Sequence, residues 1–223
     1  MFAKASAFIA AAAFCGSATA LPQSVNAAGY CLEFDGADDL VQVTRSVALE
    51  PAQITVELWA RLDGQQGWNS RLLRKGETDA YYITADQDLD NRMQLLAVKN
   101  NVFVQAKDTS PHSVYSGHWH HFTGVYAADH AEFWVDGVQV SSVTHAQGPL
   151  SHLPLTDLFI GAGLPAAAPE FFHGRIDEVR VWNFPRSAVE IQADWNLSLS
   201  GSEVGLVAYW RFGETEGSSF ADS

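Results

Sequence analysis

The sequence predicts an all-β protein, a two-sheet antiparallel jelly-roll sandwich with one short helix towards its C-terminal side. The first observation is that about a dozen short segments, rich in β-branched and aromatic residues, are separated by turn signals. The second is a helix start signal, the capping-box pattern of Ser187–Glu190. The length of 223 residues suits one such domain, and the sequence contains no internal repeat.

The charge composition restricts the partners of the protein. Twenty-six acidic residues against 13 basic residues give a net charge of −13. Nucleic-acid backbones and anionic membrane surfaces repel a chain this acidic, so neither is expected as a partner. The acidic residues keep a secreted protein soluble, or they supply oxygen ligands for calcium.

Residues 1–20 are predicted to be a secretory signal peptide. Lys4 gives the positive start, Ala5–Phe14 is a short apolar run, and Ala18–Ala20 has the pattern of a cleavage site. The apolar run is too short to span a bilayer, and no second hydrophobic span follows it. We therefore expect a secreted protein, located outside the cell or in the cell envelope.

The rest of the chain divides into three parts. Residues 21–28 are expected to form a flexible leader, residues 29–216 the sandwich domain, and residues 217–223 a C-terminal tail, for which truncation of the chain is one interpretation. Cleavage of the signal removes Cys15 and leaves Cys31 as the single cysteine, so no intramolecular disulfide is expected. Cys31 then acts as a small buried hydrophobe on the first strand.

The domain is expected to begin with a hairpin around the turn signal Asp35-Gly36. Asp35 and Asp38 are expected to accept hydrogen bonds from their own turn backbone, although a metal site is an alternative. Acidic residues also fill the segment 86–91, where the spacing of the aspartates is similar to the start of an EF-hand. The glycine and glutamate of that motif are missing, which favours a solvated hairpin loop.

The clearest strand is Ile54–Leu62, in which apolar residues alternate with Thr55, Glu57, Trp59 and Arg61. The apolar set is predicted to face the core. Trp59, on the other face, is either a sugar-stacking residue or a residue that packs across strands. Trp68, in the polar loop that follows, is the second candidate for sugar stacking.

Later strands carry two further signals. His118 and His120 share a face of a predicted strand, as a zinc-binding pair would, but a structural role is the alternative. Asp136-Gly137 between two hydrophobic runs predicts a hairpin with a type I′ turn. A third signal is the segment 171–196, in which a strand opened by a glycine ends before a proline and leads into the capped helix.

Several of these motifs resemble one known family. The runs Gly-x-Ile-Asp-Glu-Val-Arg-Val-Trp (174–182), Ser-x-x-Glu-Ile (187–191), Trp-His-His (119–121) and Leu-Val-Ala-Tyr-Trp (206–210) are similar to those of laminin-G-like jelly-roll domains. These domains are relatives of pentraxins in the concanavalin A-like lectin/glucanase superfamily. The resemblance covers about residues 30–220 and implies a β-sandwich that recognises ligands outside the cell.

Two kinds of site follow from the resemblance. Similarity to pentraxins implies a calcium site, and mapping its two positions onto this sequence gives Asp79 and Glu170 as candidate ligands. The loop 161–170 holds one acid where pentraxins have several, so only a single weak site with backbone carbonyls is expected. Glucanases of the superfamily carry alternating carboxylates on one strand, whereas Asp177 and Glu178 are adjacent and point to opposite faces.

The sequence is therefore interpreted as a secreted, non-catalytic recognition module. It is expected to bind a glycan or an extracellular protein, with calcium as a candidate cofactor and with Trp59 and Trp68 as stacking residues. A glycoside hydrolase or lyase of the same superfamily is the first alternative. A structural or adhesive surface domain is the second.

Overall fold

The protein is a sandwich of two antiparallel sheets with one helix, as the sequence predicts. This computed structural model describes residues 31–64, 66, 70–76, 80–85, 92–109, 117–152, 156–163 and 171–213, and the backbone alone of 7–9, 13–14 and 219–220. About half of the residues that the structure describes are in strands, 51%. None of the helices in these ranges is long and apolar enough to cross a membrane.

Sheet 1 has eight strands in the order β16-β1-β4-β13-β6-β7-β8-β9. Their bounds are Ala7–Ile9 (β1), Val41–Val43 (β4), Arg71–Lys75 (β6), Tyr81–Ala85 (β7), Met93–Lys99 (β8), Val102–Lys107 (β9), Leu158–Ile160 (β13) and Ser219–Phe220 (β16). The β8–β9 hairpin turns at Asn100 and Asn101, whose φ angles of +47° and +61° suit the type I′ turn that matches strand twist.

Sheet 2 has the order β12-β11-β10-β5-β14-β3-β2, with β15 paired to β14. Its strands are Ala13–Phe14 (β2), Leu32–Asp35 (β3), Ile54–Leu62 (β5), Trp119–Tyr126 (β10), His130–Val135 (β11), Val138–Thr144 (β12), His173–Trp182 (β14) and Leu206–Trp210 (β15). The predicted Asp136-Gly137 turn joins β11 to β12, with φ angles of +50° and +73°.

The core lies between the two sheets. The alternate residues of β5 that the sequence assigned to the core, from Ile54 to Leu62, are buried there. The two sheets are in close contact at Gly124 of β10. A Cβ atom at this position would lie 2.8 Å from Leu95 Cδ1 and 2.9 Å from Ile83 Cδ1, so the sheet spacing at this point requires glycine.

The helix α1 (Ala188–Asp194) packs on the outer face of sheet 2. Its capping box is formed as predicted: Ser187 accepts from the Glu190 N–H and Glu190 accepts from the Ser187 N–H. Two apolar residues of the helix differ in burial, since Ile191 is buried and Val189 is 78% exposed. Residues two apart lie on different sides of a helix, so only Ile191 reaches the sheet.

The N-terminal segment differs from the expectation in two ways. The strands β1 and β2 lie within residues 1–20, and they pair with β4, β16 and β3. Cys31 is in a disulfide bond, which corrects the expectation of a free thiol. That expectation assumed cleavage of the segment holding Cys15, the other cysteine of the sequence. Signal cleavage itself stays a prediction.

Candidate functional site

The structure leaves the candidate residue Trp59 no open face for a sugar. Trp59 is 1% exposed. Its ring stacks on Trp195 at 5.8 Å between centroids and meets His121 edge-on at 5.5 Å. The sugar-stacking expectation is therefore replaced by the packing alternative, because Trp195, which follows α1, covers the ring. The other candidates, Trp68, Asp79 and Glu170, lie outside the described residues.

The described neighbours of the two candidate calcium ligands are well separated. Ala80, next to Asp79, begins the turn into β7 beside the Lys75 end of β6. Phe171, next to Glu170, accepts a hydrogen bond from Ser70 at the opposite end of β6.

The predicted bonding of acidic side chains to their own turn backbone after β3 is confirmed for Asp35, and the second acceptor is Asp39 where Asp38 was expected. Asp35 Oδ1 accepts from the Ala37 N–H at 2.8 Å, and Asp39 Oδ2 accepts from the Asp35 N–H at 2.9 Å. Among the described side chains there is one group of three potential metal ligands, formed by Asp35, Asp38 and Asp39. His118 and His120, the pair of the zinc alternative, belong to no such group in that part of the chain. His120 instead bonds Asp136, at 2.8 Å between Nδ1 and Oδ2.

A buried ionic network lies between sheet 2 and α1. Glu57 of β5 is 2.6 Å from Arg186 Nη1 and 3.4 Å from Arg180 Nη1, and Arg180 reaches Glu178 at 3.0 Å. Tyr209 donates its hydroxyl to Glu178. Arg175, on the same strand, contacts Glu33 and Asp63 and lies outside this network.

The pKa values of several groups in this network are shifted from their usual values. Desolvation raises the pKa of Glu178 despite the neighbouring Arg180. Burial would lower the pKa of Arg180, but the carboxylates of Glu57 and Glu178 outweigh burial and raise it. Burial and the Glu178 charge raise the pKa of Tyr209 to about 12. Each charge is held by a fixed opposite charge, and the group fastens α1 to the sheet.

His121 belongs to the same layer but is neutral. Its Nε2 lies 3.8 Å from Glu57 Oε2. Burial, and then the Arg180 and Arg186 guanidiniums, lower the pKa of this imidazole well below its usual range, although Asp136 acts in the opposite direction. Because the imidazole is neutral, its contact with Glu57 is not an ion pair. The charge of the Glu57 carboxylate is balanced by the two arginines.

The outer face of sheet 1 has a different chemistry. Because side chains alternate across a strand, one set from β6–β9 points away from the core. This set, which we call the sheet 1 face, consists of Arg71, Arg74, Tyr82, Thr84, Gln94, Leu96, Phe103, Gln105 and Lys107. Directly paired residues form two rows across the strands, Arg74-Tyr82-Leu96-Gln105 and Arg71-Thr84-Gln94-Lys107.

Tyr82 lies at the centre of this face. The guanidinium carbons of Arg71 and Arg74 are 5.3 Å and 5.2 Å from its ring centroid, within cation–π range. Arg71 donates to Thr84 Oγ1 at 2.8 Å, and Arg74 donates to the Gly76 carbonyl at 2.7 Å. These bonds fix the two guanidiniums around the ring.

A β-bulge places Arg71 on this face. Arg71 pairs with Thr84, but Leu73 pairs with Ile83, so β6 holds one extra residue, Leu72. Without the extra residue, Arg71 and Arg74 would point to opposite faces, since they are three positions apart. Bulges of this kind commonly re-aim a side chain beside a functional site.

Side chains at the centre of the sheet 1 face are buried, and those at its edge are exposed. Tyr82 is 3% exposed, whereas Phe103 on the edge strand β9 is 55% exposed. No strand or helix within the described ranges has substantial contacts over β6 or β7 other than their neighbours in the sheet. Gln94 Oε1 is buried and has no hydrogen-bond partner. A ligand would first meet Phe103 and Gln105 at this edge.

The sequence interpretation missed this face. Alternation in Val102–Lys107 could have placed Phe103, Gln105 and Lys107 together, because every second residue shares a side. The strand pattern carried no signal for the bulge at Leu72, and therefore none for the meeting of Arg71 with Tyr82.

Comparison with known proteins agrees with this architecture. The sequence matches the family model Laminin G 3, of the concanavalin A-like lectin/glucanases superfamily, over residues 35–192. No curated protein matches the sequence significantly.

Solved structures are similar in fold at low identity. Domain 4 of AbnA, a GH43 extracellular arabinanase from Geobacillus stearothermophilus in complex with arabinotriose, has a TM-score of 0.61 and 16% identity, over 84% of this chain and 86% of that one. A putative carbohydrate-binding protein from Bacteroides ovatus has a TM-score of 0.58 and 12% identity, over 100% of this chain and 58% of that one.

A third similar structure is a SAP-like pentraxin from Limulus polyphemus. Its TM-score is 0.57 with 12% identity, over 98% of this chain and 92% of that one. At such identities these comparisons show a shared fold and leave the ligand to be argued from the residues.

Proposed function

Because the chain belongs to the concanavalin A-like lectin/glucanases superfamily, we propose that it is an extracellular, non-catalytic glycan-binding module. The proposed contact surface is the sheet 1 face, entered from the edge strand β9. The neighbours include one arabinanase domain in complex with arabinotriose and one protein described as carbohydrate-binding, which supports a glycan as the ligand class.

The observation that carries the proposal is the exposed edge of the sheet 1 face at β9. Sugar sites combine aromatic rings with planar polar side chains that bond hydroxyl groups. This edge offers Phe103, 55% exposed, as a ring, and Gln105, with Gln94 on the neighbouring strand, as amides. The unpartnered Gln94 Oε1 is an acceptor that a sugar hydroxyl would satisfy.

The carboxylates of sheet 2 support a binding role over glycoside hydrolysis. Hydrolysis needs two carboxyl groups that flank the sugar with room for a water molecule. Glu57 and Glu178 are instead buried and shared with arginines beneath α1. The proposal therefore gives these carboxylates a structural role.

Affinity electrophoresis through gels containing arabinan, galactan or xylan tests this proposal, with titration of arabinotriose for the affinity. The variants Phe103→Ala and Gln105→Ala alter exposed side chains on the edge strand, and we expect each to weaken binding about tenfold, equivalent to about 1.4 kcal/mol. The control Val189→Ala removes an exposed apolar side chain from the helix on the other sheet. Equal retardation of all three variants would contradict the proposal.

Calcium remains a separate prediction of the sequence. If Asp79 and Glu170 bind the ion in the native state only, calcium raises the unfolding midpoint relative to chelator. The double variant Asp79→Ala, Glu170→Ala would remove the rise. An unchanged midpoint in the wild type would refute the calcium site and leave the glycan proposal intact.

A further inference from the structure

The turn that follows α1 contains a sequence motif that the proposed function does not use. Residues 196–198 read Asn-Leu-Ser. This is the acceptor pattern for N-linked glycosylation, an asparagine, then any residue except proline, then serine or threonine. The pattern occurs once in the 223 residues of the chain. Because the motif is short, its structural setting decides whether it can act as an acceptor, and the required setting is a surface loop of a secreted protein.

The structure places Asn196 at the surface, in the turn that directly follows Trp195. The Asn196 side chain is partly exposed and makes no hydrogen bond to the described part of the chain, and neither of its polar side-chain atoms is buried. Its neighbour Leu197 is 45% exposed. The Asn196 amide nitrogen is therefore open to solvent.

The turn is held by contacts of its backbone. The Leu197 N–H donates to the Asp194 carbonyl at 3.0 Å. The buried Arg180 guanidinium donates to the carbonyls of Asp194 and Leu197 from the inner side of the turn. An oligosaccharide on the Asn196 side chain would leave these contacts in place, so the fold tolerates the modification.

Asn196 lies on the opposite side of the sandwich from the proposed ligand surface. The helix α1 packs on the outer face of sheet 2, and Trp195, adjacent to Asn196, stacks on Trp59 of that sheet. The sheet 1 face belongs to the other sheet, on the far side of the core. Sugars attached at Asn196 would therefore shield the helix side of the protein and leave the sheet 1 face open.

We propose that Asn196 is an N-glycosylation site, modified during the secretion that the signal-peptide pattern predicts. The donor is an oligosaccharide carried on a polyprenyl diphosphate. The Asn196 amide nitrogen forms a bond to the anomeric carbon of the sugar and loses one proton. The bond from that carbon to the diphosphate oxygen breaks, and the lipid diphosphate leaves with the electron pair. The Ser198 hydroxyl completes the motif that the transferase recognises.

Secretion of the full chain from insect cells, followed by intact mass spectrometry, tests this proposal. We expect the secreted protein to exceed the mass of its polypeptide by one oligosaccharide. Treatment with peptide N-glycosidase should remove the added mass and convert Asn196 to aspartate, and peptide mapping then locates the change.

Three variants assign the added mass to the motif. Asn196→Gln and Ser198→Ala each remove the motif and should abolish the added mass, whereas Ser198→Thr retains the motif and should keep it. Ser198 contacts Glu178 at 3.5 Å, and Asn196→Gln leaves this contact intact, so loss of the mass does not depend on a change in the network. The matched control is Asn183→Gln, since Asn183 is an exposed asparagine followed by Phe184 and Pro185.

Two results would overturn the proposal. The first is a secreted wild-type protein with the mass of the bare polypeptide. The second is an added mass that survives Asn196→Gln. Retardation of the Asn196→Gln variant in the polysaccharide gels measures the proposed glycan-binding function separately, because the sheet 1 face is unchanged in this variant.

Discussion

Arg186 and Glu57 form a 2.6 Å ion pair across 129 positions of sequence, and neither side chain is more than 4% exposed. Arg186 precedes the cap of α1, and Glu57 lies at the centre of sheet 2. The Arg186 guanidinium also donates to the Asp194 carboxylate and to the Glu190 carbonyl of the helix. The pair therefore determines where the helix lies on the sheet.

Removal of this guanidinium should be strongly destabilising. We expect Arg186→Met to lower the free energy of unfolding by about 3 kcal/mol, the lower end of the range for breaking a buried pair, because Arg180 still contacts Glu57. The control is Arg45→Met, which breaks the more exposed pair with Glu50 and should cost at most about 1 kcal/mol. Urea denaturation of both variants measures the difference, and equal losses would contradict the structural role of the network.

Acid should destabilise the fold through His121. The folded-state pKa of this imidazole lies well below its usual value, so below about pH 6.5 the unfolded chain binds a proton that the folded chain does not. Stability is then fully present above that pH and falls as pH decreases, by at most about 1.4 kcal/mol per pH unit. Unfolding free energies measured between pH 7.5 and 5.5 give this slope. The range extends about one pH unit to either side of the usual histidine pKa of about 6.5.

The groups that face His121 are Glu57, Arg180, Arg186 and Asp136. His121→Gln should remove the slope across this range, whereas the control His118→Gln, at an exposed position, should retain it. A slope that persists in His121→Gln would show that another group causes the acid sensitivity.

The capping box should contribute measurably to stability. Ser187→Ala removes the side chain that bonds Glu190, and we expect a loss of about 1 kcal/mol, typical of an N-cap serine. Thermal unfolding compared with the control Ser142→Ala, on the exposed edge strand β12, measures this effect. A midpoint equal to that of the control would mean that packing alone maintains α1.

The state of Cys31 is open to a direct count of thiols. In the full chain we expect no reaction with an alkylating reagent before reduction and two labels after it, since Cys31 is disulfide-bonded and the sequence has two cysteines. Intact mass spectrometry reads both values. One label without reduction, together with loss of residues 1–20, would show that the predicted signal is cleaved and that Cys31 is a free thiol.

Local sequence patterns predicted much of the sandwich. The alternation in β5 identified its core face, and the pair Asp136-Gly137 identified a hairpin turn. These features depend on neighbours in sequence, because turn conformation and side-chain alternation are local properties of the chain.

The site depended on contacts that are distant in sequence. Trp59 appeared to be available for a sugar because the strand pattern gives no information on its cover, which is Trp195. The bulge at Leu72 re-aims Arg71, yet a single extra residue leaves the apolar pattern of β6 unchanged. Tertiary packing decided both outcomes.

Binding of a glycan at the sheet 1 face is tested most directly by a two-dimensional NMR titration of the protein with arabinotriose, following the backbone amide signals. We expect the largest shifts in the strands of this face, Arg71–Lys75, Tyr81–Ala85, Met93–Lys99 and Val102–Lys107. Shifts confined to the turn 35–39 or to α1 would contradict it, because the ligand would then bind a different part of the sandwich.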